Sequence, residues 1–253
     1  MIEKFEVDIT PFDLKRTIHL YLPDDYKISE ERYPVIYMYD GHNLFFDEDA
    51  TYGKSWGLKD FLDYYDKKMI VVGMECNHEG QKRLDEYCPY DVSHSYFGDI
   101  HGVGDIYMQW VVDELKPFID QHYRTIPFRE CTMIAGSSMG GLMALYTIVH
   151  HNNIFSKAAC LSSAISFCFD ELVKEIESSS LNQDTLVYMD WGSEESRNKK
   201  GLAYATNANL ELSHLLQCHG AKTYPHCVIN GKHNEATWEK QIPLFMDFLW
   251  KNK

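Results

Sequence analysis

The sequence predicts one α/β domain over residues 1–253, with a mostly parallel central sheet, helices on both faces and an N-terminal antiparallel hairpin. Three observations support this prediction. Short apolar segments alternate with longer segments of helical periodicity. Several short segments are apolar at nearly every position, which is typical of strands covered on both faces. No internal repeat, low-complexity tract or linker interrupts the alternation.

The chain begins with two alternating segments, residues 4–10 and 16–22, joined by a Thr-Pro-Phe-Asp turn. These segments predict the hairpin. The next predicted elements are a central strand at 35–39, a helix at 58–66, a central strand at 69–74, an irregular stretch at 75–104 and a helix at 105–122. A proline at position 117 is expected to kink that helix, and its predicted buried stripe is Ile106, Trp110, Val111, Leu115 and Phe118.

The second half of the chain repeats the strand–helix alternation four times. The predicted strands lie at 131–135, 156–161, 185–191 and 221–229. The predicted helices lie at 142–149, 170–179, 207–217 and from about 235 to 251. Alternation of this kind, with buried central strands, indicates a mostly parallel sheet.

The composition excludes several classes of function. Twenty-four Lys and Arg residues against 38 Asp and Glu residues give a net charge of −14. Nucleic acids and anionic membrane surfaces require a basic face, so we expect neither as a partner. No segment approaches the roughly 18 consecutive apolar residues of a membrane helix.

The cysteines and histidines indicate a cytoplasmic protein without a metal ion. The seven cysteines include no Cys-x-x-Cys pair, and the first residues lack the apolar core of a signal peptide. We therefore expect reduced thiols and a cytoplasmic location. The twelve histidines show no His-Glu-x-x-His or similar ligand pattern, so no metal and no organic cofactor are predicted.

A Gly-x-Ser-x-Gly pattern lies between the predicted strand at 131–135 and the helix that follows, with Ser138 at its centre. A sharp turn from strand to helix is the context of a nucleophile elbow, and small neighbours allow its strained backbone. We expect Ser138 to be the nucleophile, Ser137 to be structural and the backbone N–H of Met139 to stabilise an oxyanion. The alternative is a Gly/Ser turn without a chemical role.

A polar loop, Asp40-Gly41-His42-Asn43, follows the central strand at 35–39. Loops at the carboxyl ends of such strands commonly supply ligand contacts. We expect the second oxyanion donor to be the backbone N–H of either His42 or Asn43. The alternative is an ordinary connection between a strand and a helix.

A serine hydroxyl needs a base to remove its proton, and a carboxylate to orient that base. In proteins with this elbow, the acid and then the histidine follow the serine along the chain. His233 lies in a Gly-containing loop directly after the last predicted strand, and it is the histidine with the required position. The acid should follow the strand at 185–191, where Glu195 is the first candidate, Asp190 the second and Glu194 the third.

These motifs resemble the putative-esterase branch of the α/β-hydrolase superfamily, which includes esterase-D-like, feruloyl, acetylxylan and siderophore esterases and the mycolyltransferases. The resemblance spans nearly the whole chain. It rests on the Tyr-Asp-Gly-His-Asn loop at 39–43, Arg83 with Glu86-Tyr87 and Pro89, the segments at 114–117 and 123–125, the Ala-Gly-Ser-Ser-Met-Gly-Gly string at 135–141, Gly192 with Glu195, and Gly-x-His at 231–233 with Trp238.

The resemblance implies an α/β-hydrolase fold and a Ser138–Glu195–His233 triad. It also implies an oxyanion hole formed by the N–H groups of Met139 and His42, and no cofactor. Many members carry Asp at the position of Glu195, so the acid is where this chain departs from the family pattern.

The predicted substrate is a small-molecule carboxylic ester. The predicted substrate-binding residues are Asn43, Arg83, Tyr87 and Trp238. An aromatic or sugar-linked ester is suggested by the aromatic residues expected near the cleft, which are Trp56, Tyr87, Tyr90, Tyr96 and Phe97.

Two other functions fit the same sequence. An acyltransferase would use the same serine with an alcohol in place of water. A non-catalytic binding protein on a hydrolase scaffold is the second alternative, and the presence of both Ser138 and His233 argues against it.

Overall fold

A mixed eight-stranded sheet forms the centre of the computed structural model, which describes residues 1–196 and 198–251. The strands, including a separate β5–β6 hairpin, are β1 (Ile2–Ile9), β2 (Leu14–Tyr21), β3 (Val35–Tyr39), β4 (Ile70–Met74), β5 (Val92–His94), β6 (Gly98–Ile100), β7 (Thr132–Ser137), β8 (Lys157–Leu161), β9 (Leu186–Gly192) and β10 (Lys222–Val228). The order across the sheet is β1-β2-β4-β3-β7-β8-β9-β10.

Strand directions confirm the predicted fold class. β1 pairs antiparallel with β2, and β2 pairs antiparallel with β4. All the other neighbours in the large sheet are parallel. The N-terminal hairpin and the mostly parallel sheet are therefore both present.

Helices cover both faces of the sheet. They are α1 (Leu58–Tyr64), α2 (Lys82–Glu86), α3 (Gly104–Trp110), α4 (Lys116–His122), α5 (Met139–His150), α6 (Phe169–Ser178), α7 (Lys199–Cys218), α8 (Glu235–Glu239) and α9 (Ile242–Trp250). Apolar side chains from α3 to α7 form the core on one face, and side chains from α1, α8 and α9 form the core on the other. Successive residues of a strand point to opposite faces. Tyr37 accordingly packs in the first core, and Ile36 and Met38 pack in the second.

The predicted helix at 105–122 differs in its buried stripe. Ile106 is 44% exposed and Phe118 is 36% exposed, whereas Tyr107 and Ile119 are buried. A π-helical segment, Val111–Leu115, separates α3 from α4. Its i→i+5 hydrogen bonds accommodate an additional residue, so beyond it the buried face continues at Ile119 rather than at Phe118. Ile106 lies before this segment, in a part of α3 whose buried residues are Gly104, Tyr107, Met108 and Trp110.

Three other predicted boundaries are also corrected. The helix predicted at 207–217 begins at Lys199, because the Asn198 side chain caps the Gly201 N–H. The helix predicted from about 235 to 251 is divided into α8 and α9. The stretch at 75–104 contains α2 and the β5–β6 hairpin.

Within the described residues, no helix combines the length and apolar character needed to span a membrane.

Candidate active site

A strained turn carries Ser138 between β7 and α5. Ser138 has φ 57° and ψ −122°, a conformation that residues with a side chain rarely adopt. A Cβ atom on Gly136 would lie 2.6 Å from the backbone carbonyl carbon and oxygen of Gly140, so only glycine permits this approach of strand and helix. The sequence thus forms the sharp elbow that its glycines predicted.

The first N–H group of α5, that of Met139, directly follows this turn. The backbone N–H of Met139 makes no hydrogen bond to any described residue. The first N–H groups of a helix lack acceptors within the helix and carry its positive partial charge. This group is therefore free to donate to an oxygen held above Ser138.

The loop after β3 distinguishes between the two predicted oxyanion donors. The N–H of Asn43 donates to the carbonyl oxygen of Asp40 at 2.9 Å and is therefore occupied. The N–H of His42 makes no hydrogen bond within the described chain. Gly41 lies against β4, where a Cβ atom would overlap the Gly73 carbonyl, and this fixes the position of the loop.

His233 and Glu195 form a hydrogen-bonded pair. His233 Nδ1 lies 3.0 Å from Glu195 Oε2. The other carboxylate oxygen, Oε1, accepts from the Gly192 N–H at 2.5 Å and from Ser162 Oγ at 2.7 Å. Both carboxylate oxygens are thus held, which orients the imidazole, and His233 Nε2 makes no hydrogen bond to any residue that the structure describes.

The hydrogen bonds to Glu195 keep its carboxylate ionised. Burial on its own would raise the pKa of Glu195, but the hydrogen bonds from His233 and Ser162 together lower that pKa below its usual value. An ionised carboxylate is the form that can accept a hydrogen bond from the imidazole N–H and stabilise an imidazolium.

The two other acid candidates point elsewhere. Asp190 accepts from the Ser162 N–H at 2.9 Å and lies 3.1 Å from the Tyr188 hydroxyl, within the buried end of β9. Glu194 lies 3.8 Å from Lys232 on the surface. Of the three carboxylates, Glu195 is the one in contact with His233.

Asp190 should make stability depend on pH. Burial raises the pKa of Asp190 to about 7, so the folded protein keeps this proton above the pH of about 4 at which the unfolded chain releases it. The folded state then binds more protons across this window, and its stability falls as pH rises from about 4 to 7. We expect Asp190→Asn to remove this contribution, so the variant gains on the order of 1–3 kcal/mol relative to wild type between pH 5 and 8.

This gain is measured as the free energy of unfolding in urea, for the variant and the wild type, at pH 5 and at pH 8. Glu194→Gln serves as the control, because it replaces a carboxylate on the surface. A stability difference between Asp190→Asn and wild type that stays constant with pH would contradict the prediction.

The predicted substrate-binding residues differ in their access to the site. Arg83 lines the active-site cavity while its guanidinium binds both oxygens of Asp40 at 2.7 Å. Asn43 also lines it, and its side-chain oxygen accepts from the Thr51 N–H at 2.9 Å. Tyr87 is fully buried beneath Arg83 and is absent from the cavity lining. The position of Tyr87 supports packing rather than substrate contact.

Trp238 connects to the triad candidates through a residue that the sequence did not single out. Trp238 Nε1 donates to Ser162 Oγ at 2.8 Å, and Ser162 in turn donates to Glu195. The Trp238 ring also packs edge-on against the His233 ring. Ser162 follows β8 with φ 44°, and nothing in its sequence context marked this role.

Ser138 and His233 line one cavity of about 480 Å³. No hydrogen bond joins their side chains in the described structure. The lining is mostly polar, and its other members are Asp40, His42, Asn43, Thr51, Tyr52, Cys76, Asn77, His78, Gly80, Arg83, Ser137, Glu235 and Trp238. Glu235 is a further cavity residue that the sequence analysis did not predict, and burial raises its pKa.

The predicted aromatic wall is absent from this lining, because Trp56 is buried and Tyr90, Tyr96 and Phe97 lie elsewhere.

Comparisons with known proteins show the family and the fold of this chain. Residues 10–246 match the model of a family described as "Putative esterase". The uncharacterised protein YbbA of Bacillus subtilis (strain 168) is 27% identical over 190 residues, or 74% of this chain and 72% of YbbA. Esterase Rv1288 of Mycobacterium tuberculosis (strain ATCC 25618 / H37Rv) is 28% identical over 149 residues, which cover 59% of this chain and 29% of Rv1288.

A solved structure shares the whole fold. The IroE-like serine hydrolase from Shewanella oneidensis superposes with a TM-score of 0.77 over 98% of this chain and 81% of that protein, at 19% identity. At this level of identity the likeness concerns the fold.

Proposed function

The chain belongs to the putative esterase family and is an esterase, and we propose that it hydrolyses carboxylic esters through a Ser138–His233–Glu195 triad and a covalent acyl-enzyme. The observation that carries this proposal is the 3.0 Å contact between His233 and Glu195 at the cavity that Ser138 also lines. A strained serine, an imidazole with a free nitrogen and an ionised carboxylate are the parts that serine acyl transfer requires.

The first half of the reaction forms the acyl-enzyme. Ser138 Oγ attacks the ester carbonyl carbon while His233 Nε2 takes the hydroxyl proton, and Glu195 stabilises the imidazolium. The negative oxygen of the tetrahedral intermediate accepts hydrogen bonds from the N–H groups of Met139 and His42. The C–O bond then breaks, and His233 gives its proton to the leaving alcohol.

The second half releases the acid. His233 removes a proton from water, the hydroxide attacks the acyl carbon, and the Ser138–acyl bond breaks as the serine regains its proton from His233. Both halves require a Ser138–His233 hydrogen bond. Catalytic hydrogen bonds are often long or absent without substrate, and the half-exposed His233 ring has room to move toward the serine.

The cavity lining favours a polar ester. The side chains of Asn43, Thr51, Asn77 and His78 offer donors and acceptors around the reacting serine. Trp238 and the exposed Tyr52 are the aromatic members of the described lining. We therefore favour a small or medium-sized ester with a sugar-like or otherwise hydroxylated portion over a large aromatic ester.

A panel of esters together with an active-site probe tests this function. We expect a fluorophosphonate to label the native protein on a single serine, and we expect acetylated sugars and short acyl esters to be hydrolysed faster than feruloyl or catecholate esters. When alcohol acceptors are added, we expect the free acid to remain the main product. Transfer of the acyl group to the added alcohol as the main reaction would identify an acyltransferase instead. An unlabelled native protein that is inactive on the whole panel would favour the non-catalytic alternative.

The cysteines also support the expected location. All seven thiols are unpaired in the structure. Unpaired cysteines suit a reducing compartment, so we propose that the enzyme acts in the cytoplasm.

A further inference from the structure

Three potential metal ligands meet at one wall of the cavity. One nitrogen of His42, one nitrogen of His78 and Cys76 Sγ all lie within 4.8 Å of one another. None of these three side chains takes part in the proton transfers of the proposed mechanism. The cluster therefore calls for an explanation of its own.

His42 has a buried nitrogen without a partner. The residue is only 6% exposed. Its Nε2 lies 2.9 Å from Thr51 Oγ1, and its Nδ1 makes no hydrogen bond within the described chain. Leaving a buried polar atom without a partner is energetically costly, so most such atoms in proteins are satisfied by a bond of some kind.

His78 has the surroundings of a metal-binding histidine. Its Nδ1 lies 3.8 Å from Cys76 Sγ, and its Nε2 lies 3.6 Å from the carboxylate of Glu75. Ligating histidines commonly direct their second nitrogen at a carboxylate, which fixes the ring and strengthens the ligand. Glu75 is itself held by His19 at 2.8 Å.

We propose that His42 Nδ1, Cys76 Sγ and His78 Nδ1 bind one Zn²⁺ ion, with a fourth coordination position open to the cavity. Two imidazoles and one thiolate are ligands that zinc prefers, and three protein ligands with an open position are typical of a reactive rather than a closed site. Zinc–nitrogen and zinc–sulfur bonds of about 2.0–2.3 Å place neighbouring ligand atoms roughly 3.3–3.8 Å apart. The exposed His78 side chain can turn by the small amount that this requires.

Binding must remove one proton. Both imidazoles bind as neutral rings, and the Cys76 thiol releases its proton to solvent as the thiolate–zinc bond forms. Burial and the Asp40 carboxylate raise the pKa of that thiol, so the metal–sulfur bond has to offset this cost.

The ligands come from two loops that the fold brings together. His42 follows β3, and Cys76 and His78 follow β4, its parallel neighbour in the sheet. Parallel strands end at the same edge of a sheet, so their following loops meet there. The Cys-x-His spacing alone is too common to predict such a site, which explains why the sequence indicated no metal.

Cobalt titration of metal-free protein tests the proposal. Co²⁺ bound to a thiolate gives a near-ultraviolet charge-transfer band, and a four-coordinate site gives strong visible bands. We expect both to saturate at one equivalent and to disappear when Zn²⁺ is added. Zn²⁺ should also raise the melting temperature of the wild-type protein, because it binds the folded state.

Two variants and one control make the test specific. Cys76→Ser should abolish the charge-transfer band, and His78→Ala, at an exposed position, should weaken affinity by about tenfold or more. Cys218→Ser is the matched control, because Cys218 and His214 form another cysteine–histidine pair, 3.6 Å apart on α7, and this variant should keep the band. The proposal would be overturned if the wild-type protein lacked the band. It would also be overturned if the band persisted in Cys76→Ser or disappeared in Cys218→Ser.

The metal site and the proposed function can fail separately. The titration reads coordination and not turnover, so it can be repeated in Ser138→Ala protein. A Ser138→Ala protein that binds cobalt like the wild type supports the site whatever the outcome for catalysis, and a band that depends on Ser138 would contradict the assigned ligands.

Discussion

Replacing Ser138 with alanine is expected to lower kcat for ester hydrolysis by about 10⁴- to 10⁶-fold, because it removes the atom that forms the acyl-enzyme. The residual rate should come from the oxyanion donors and from substrate binding, which alone accelerate acyl transfer by about 10³- to 10⁴-fold over water. The measurement is kcat and KM with the best ester from the panel, together with fluorophosphonate labelling, which should vanish.

Ser137→Ala is the matched control for this prediction. Ser137 is the preceding residue in the chain, lines the same cavity and is buried at the end of β7, with ordinary strand geometry rather than the positive φ of Ser138. We expect this variant to keep its rate within about threefold and to be labelled by the probe. Full activity in Ser138→Ala, or loss of labelling only in Ser137→Ala, would remove Ser138 from the mechanism.

Glu195→Gln is expected to lower kcat by about 10²- to 10⁴-fold with little change in KM, because it favours the tautomer of His233 that cannot act as the base. The Oε1 position accepts two hydrogen bonds, from the Gly192 N–H and from Ser162 Oγ. The glutamine amide oxygen should take that position, which turns its NH₂ group toward His233 Nδ1. The imidazole then has to accept at Nδ1 and carry its proton on Nε2, where it can no longer receive the serine proton.

The comparison for this variant is Glu194→Gln, one residue earlier. Glu194 is exposed and pairs loosely with Lys232 at 3.8 Å, so the change should leave kcat within about twofold. Steady-state kinetics on both variants, with thermal unfolding to confirm that each is folded, measure the difference. Equal losses in the two variants, or a larger loss in Glu194→Gln, would reject Glu195 as the acid.

Much of the fold followed from local patterns. Apolar runs such as Val35–Tyr39 are buried on both faces of a sheet, and such burial requires helices above and below. The patterns failed where the backbone departed from ideal geometry. Beyond the π segment at Val111–Leu115 the buried face continues at Ile119 rather than at Phe118, and a period of 3.6 residues cannot foresee that change.

The residues of the site likewise include some that local patterns predicted and some that they did not. The strained turn at Ser138 is predictable, because only a run of small residues permits it. The predicted aromatic wall illustrates the opposite case: aromatic residues in the long loop suggested a substrate surface, but Tyr87 is part of the core and Tyr96 lies exposed outside the cavity. Composition shows which side chains are present, and only the packing shows which of them face the cavity.

Local patterns were enough to predict the sheet with its N-terminal hairpin, the elbow at Ser138 and the loop positions of His233 and Glu195, because each depends on residues close together in the chain. The folded arrangement determines which contacts form between loops. It brought Glu195 rather than Asp190 or Glu194 to His233, inserted Ser162 between Trp238 and Glu195, and gathered His42, Cys76 and His78. These contacts join segments far apart in the chain, so they depend on strand order and register, which local patterns do not encode.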